Sequence, residues 1–171
     1  MFSKKKKNQP DINELADDYE QSLFAAAKGE MRQLIELGYP TALCVFVFNE
    51  MLAYALTMLR EQSIQAGINQ DEFEPVLKRI ATLVTASVAF IRYETDEERN
   101  NYVTTMSAEL WEQIDRYGDL PNKIHHYEQR LRQCAEELQA PMRDVEIESC
   151  MKTLMAVTMK ANPYPLLDAM K

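Results

Sequence analysis

Apolar residues recur at three- and four-residue intervals along most of the chain, the period of amphipathic helices. Ile12, Leu15, Tyr19, Leu23 and Ala26 set the first such face, continued by Met31, Leu34 and Ile35 as far as Gly38. Asp11 follows Pro10 as an N-cap with Glu14 three residues on, and "GYP" at 38–40 stops the helix. A second helix runs from about Thr41 to Ala66–Gly67. A third opens after Asn69–Asp71, with Pro75 placed in its first turn and Phe73, Leu77, Ile80, Val84 and Ile91 on one face. "TDEE" starts a fourth, where Thr95 caps and Glu98 answers it, ahead of Val103, Met106, Leu110, Ile114 and Tyr117. Ile124, Tyr127, Leu131, Cys134 and Leu138 give the fifth a seam of alternating three and four, and a sixth spans about Asp144 to Ala161.

Short turns between such segments favour antiparallel neighbours. The pattern predicts an all-α, single-domain antiparallel bundle of about six helices around a buried central helix, residues 41–66. The expected division is a flexible basic tail over residues 1–10, the bundle over 11–162 and a proline-containing tail over 163–171.

The second helix is the crux. "CVFVFNEMLAYALTML", Cys44 to Leu59, is nearly all apolar and short of the ~20 residues a membrane helix needs, and Glu50 interrupts it. Asn49, Glu50, Ala53, Thr57, Arg60 and Glu61 fall on one narrow strip, which describes a helix surrounded on most sides with one thin polar seam. Asn49 and Glu50 are the buried polar candidates. An enclosed carboxylate needs a cation or several donors, or else its charged form is disfavoured and it becomes a candidate site. The simpler expectation is that Glu50 reaches solvent or meets Lys or Arg from a neighbouring helix.

Composition narrows the field. Ala, Leu, Glu, Gln, Met, Lys and Arg dominate and only 4 Gly occur among 171 residues, which suits helices. The net charge is -8, and because four of the 19 Lys+Arg sit in Lys4–Lys7, the remainder is more acidic still. Such a body repels nucleic-acid phosphates and favours a partner with a basic surface. Lys4–Lys7 as an arm against an anionic lipid surface is the minor alternative to a solvated tail. Cys44, Cys134 and Cys150 are odd in number and widely spaced, as in a reducing cytoplasm.

Chemistry-bearing motifs are weak. Di-iron bundles need paired Glu-x-x-His, whereas this chain offers adjacent His125 and His126 with Glu128 in reverse order. Glu94, Glu97 and Glu98 followed by Glu112 and Asp115 superficially resemble the acidic signature of MazG-type nucleotide pyrophosphohydrolases, which implies Mg²⁺ held between facing helices. Here both groups belong to one helix, about 27 Å apart at ~1.5 Å per residue, so they share no ion. No cysteine has a Gly-rich turn beside it. No catalytic residue, metal ligand or cofactor is assigned, and catalysis is disfavoured.

Surfaces carry the expectation of function. Met151, Met155 and Met159 repeat every four residues, and adaptable methionine stripes serve as docking faces as well as core. In "PYPLLDAM" two prolines favour an extended tail offering Leu166, Leu167 and Met170 as anchors, and the equal alternative is that the segment folds back over its own bundle. The expected function is a small acidic cytoplasmic interaction protein of adaptor, chaperone, immunity or inhibitor type, contacting another protein or forming a homodimer. The alternative is a ligand-binding bundle or hydrolase using the acidic seam around Glu50.

Overall fold

A computed structural model describes residues 11–171; the Lys4–Lys7 run lies outside them. Seven helices follow in order: α1 (Ile12–Glu36), α2 (Thr41–Gln65), α3 (Gln70–Arg92), α4 (Asp96–Gly118), α5 (Lys123–Glu137), α6 (Asp144–Lys160) and the short α7 (Tyr164–Ala169). No strand occurs among the described residues. α2 touches each of the other five long helices, so the predicted all-α bundle around a central helix is the fold.

Local chemistry sets the boundaries. Asp11 Oδ1 accepts from the Asn13 amide, Asn69 from Asp71 and Asn122 from His125, so each of these helices starts on a side-chain acceptor. Thr95 and Glu98 form the full capping box. The α1 and α2 ends are closed by Gly38 and Gly67 at φ 85° and 73°, with the following amides (Tyr39 to Leu34 O, Ile68 to Ser63 O) completing Schellman turns. α5 ends in the same way on Gln139, a side-chain-bearing residue at φ 54°. α3 begins earlier relative to Pro75 than the sequence suggests. The proline stands in the second turn on the exposed side, where its missing N–H deprives only a solvent-facing carbonyl.

α2 is buried around nearly its whole circumference. Leu43, Val47, Met51, Leu56 and Leu59 are all within 1% of full burial. By length and composition α2 could cross a membrane, yet 72% of its most apolar stretch is covered by the bundle. The polar seam is the line along which α2 meets α4 and α5. Thr57 Oγ1 donates to Ala53 O at 2.8 Å and lies 3.3 Å from Ile114 O, while Arg60 binds Asp115 and Glu61 binds Lys123, each at 2.7 Å.

Of the two dispositions open to the C-terminal segment, the structure shows the one folded back over the bundle, not the extended tail. Tyr164–Ala169 is helical, and Leu166 and Leu167 are 1% and 4% exposed. α7 folds back onto α1. Pro163 and Pro165 sit at the cap and first turn, the positions where a missing amide costs a helix nothing.

Candidate functional site

Glu50 is the least exposed charged residue among the described residues, at 1%. Arg130 of α5 donates to Glu50 Oε1 from Nε at 3.0 Å and from Nη2 at 2.6 Å. The Tyr117 hydroxyl of α4 donates to Oε2. Both carboxylate oxygens are therefore satisfied by groups from two other helices. Burial, and then the adjoining Glu50 charge, push the Tyr117 hydroxyl far above its ordinary pKa, so it remains a donor. His126 packs edge-on to Tyr117 with ring centres 5.6 Å apart, and burial together with Arg130 holds its pKa down. The cluster is a three-helix staple. Glu50 lines none of the five most pronounced cavities among the described residues.

The other chemistry candidates disperse. His125 is exposed and His126 half-buried, consistent with one flanking the core. Glu98 is occupied with Thr95, and Asp115 with Arg60 across to α2. Cys44 and Cys150 are buried, Cys134 is half-buried and all three are unbridged. Glu20, a second enclosed carboxylate, gives no sequence signal. It is 6% exposed, accepts from Ser87 at 2.8 Å, and burial raises its pKa.

The methionine stripe splits. Met151 is half-buried against the core, whereas Met155 and Met159 are 50% and 78% exposed. Leu154 and Val157, fully buried, supply the inner face of α6. Leu166 and Leu167 lie inside, and Met170 packs half-buried against the same core. Of the partner-binding candidates, only Met155 and Met159 face solvent.

Asn49, beside Glu50 in sequence, points elsewhere. It lines an apolar cleft of about 340 Å³ where α1, α2, α3 and α4 approach one another. Phe24, Met31, Val45, Phe48, Val88 and Ile91 wall the cleft, with Lys28, Arg92 and Tyr102 also lining it. The contributing residues come from four helices between positions 24 and 102, so no local pattern in the sequence announces them.

Comparison with protein families, with curated proteins and with solved structures yields no match for this chain.

Proposed function

We propose that the protein is a small acidic interaction protein that works by contact with a second protein and without turnover, docking through the outer face of α6. The observation that carries this reading is the exposure of Met155 and Met159, 50% and 78%, beside a core already filled by Leu154 and Val157. Two flexible thioether side chains on a solvent face adapt to an irregular partner surface. Tyr164, 66% exposed at the start of α7, adds an aromatic group a few residues further along. The net charge of -8 favours a partner with a basic surface and speeds its approach. Three unbridged cysteines support a reducing, cytoplasmic setting. A hydrolase built on Glu50 is less well supported, because both its oxygens are held by Arg130 and Tyr117.

The test is affinity capture from the native host with the wild-type chain and with Met155→Glu/Met159→Glu, followed by mass spectrometry. The double variant keeps its helicity and melting temperature and loses the partner. Retention of the partner refutes the docking face, and loss of helicity shows that the two methionines belong to the core. Sedimentation of both forms reads out the homodimer: a wild-type dimer that the variant abolishes identifies the partner as a second copy.

A further inference from the structure

We infer that the cleft among α1, α2, α3 and α4 is a binding site for a long-chain carboxylate, the fatty-acid type of anionic amphiphile. Its volume of about 340 Å³ falls in the range of small-ligand pockets, roughly 300–1,000 Å³. The walls are overwhelmingly apolar, as a hydrocarbon chain requires. Asn49, Val88 and Tyr102 also line a second, smaller chamber of about 40 Å³, so the two spaces adjoin along these three residues.

Charge decides the headgroup. The described body is acidic, and most of its cations are matched by a carboxylate within 4 Å. Lys28 and Arg92 are two that are not, among the described residues, and both line this one cleft. Each is positioned by aromatic rings instead. Lys28 Nζ lies 6.0 Å from the Phe24 ring centre, and the Arg92 guanidinium lies 5.6 Å from that of Tyr93 and 5.9 Å from that of Tyr102. A cation held by an aromatic face keeps its full charge for an incoming anion. Arg92 is exposed and Ile91 beside it is 64% exposed, which places the opening on their side. The adjoining small chamber is lined by Glu109, an exposed carboxylate of α4, and Gln113, so an anionic head is favoured at the Lys28 and Arg92 end of the cleft over the Glu109 side. Arg92 and Lys28 then hold the head by charge-assisted hydrogen bonds while the tail runs over Val45 and Phe48 towards Asn49.

The experiment is titration calorimetry of the full chain with laurate below its micelle concentration, alongside dodecanol and dodecyltrimethylammonium. Laurate binds tightest, and the cationic amphiphile is weakest. Lys28→Met/Arg92→Met lowers laurate affinity about tenfold but leaves dodecanol within about twofold. Val45→Trp, which fills the cleft, abolishes both, with thermal melts confirming that each variant is folded. Laurate no tighter than dodecanol, or unaffected by the double variant, overturns the anion site. Failure of every amphiphile to bind overturns the cleft as a hydrocarbon site, and so does a Glu-flanked amphipathic peptide that binds there when laurate does not. Retention on anionic vesicles that Val45→Trp leaves intact, with no free laurate bound, refutes it in favour of a membrane surface.

Discussion

Arg130 and Glu50 are eighty positions apart, yet the guanidinium places two donors on one carboxylate oxygen deep in the bundle. Removing the cation strands a charge that is 1% exposed. Breaking a buried pair costs ~3–5 kcal/mol. The Arg130 side chain is 26% exposed, so some water reaches it and the low end applies. Arg130→Met is expected to lower the unfolding free energy by about 3 kcal/mol in urea titration. Glu50→Gln/Arg130→Met is expected to recover at least ~1 kcal/mol of that loss, the non-additivity of a contacting pair. Additive losses would show that the ion pair is not coupled.

The last helix gives a second contrast. Leu166 is 1% exposed beneath α1, while Tyr164, two residues earlier, is 66% exposed. Leu166→Ala costs roughly 2–3 kcal/mol through the lost burial and the cavity left behind. Tyr164→Ala stays within about 0.5 kcal/mol. Equal effects on the denaturation midpoint would mean that α7 does not dock.

Gln139 occupies the left-handed turn that Gly occupies at 38 and 67. A side chain in that conformation costs ~1–2 kcal/mol, offset in part by the greater chain entropy of glycine when unfolded. Gln139→Gly therefore stabilises by about 0.5–1 kcal/mol, a rise in Tm of roughly 2 °C by calorimetry. A fall in Tm would locate a compensating contact on the Gln139 side chain.

Acid sensitivity has an assignable source at the start of α6. Glu146 accepts from the Arg143 guanidinium at 2.6 Å and from the Arg143 amide at 2.7 Å. The Arg143 side chain first, then its amide and Tyr39, hold the carboxyl down at about 2, against an ordinary 4.5. Because the folded value is the lower one, the stabilisation is complete above about 4.5 and drains away as pH falls towards about 2. The stability gap between wild type and Glu146→Gln, measured by urea unfolding, is expected to be constant from pH 7 to 5 and to close by pH 2. A gap independent of pH would detach Glu146 from this role.

The sequence was most informative where the physics is local. Thr95 and Glu98 announce the α4 start because a capping box is a four-residue device, and Gly38 and Gly67 announce two ends because few other residues take a positive φ cheaply. The enclosure of α2 follows from apolar residues on nearly every side of one helix. The face of α5 is less legible in its sequence. A seam through Cys134 and Leu138 suits a supercoil, but in this 15-residue helix Tyr127, Leu131 and Ala135 turn inward and Leu138 is 37% exposed. α7 is masked in the sequence because prolines that break a helix interior are harmless at its start. That Glu50 needs a partner was legible; that the partner is Arg130 was not, since nothing at position 130 distinguishes it from other arginines. The cleft is equally silent in the sequence, being assembled from single residues on four helices.

The docking of α7 against α1 bears on how the chain matures. Tyr19 and Leu23 of α1 leave the ribosome more than a hundred residues before the segment that packs against α1. During synthesis the early helix must wait with part of its apolar flank unshielded, a natural binding target for chaperones that hold nascent chains. Final closure of the bundle must await α7, and its rate depends on how quickly that distant six-residue helix finds its seat.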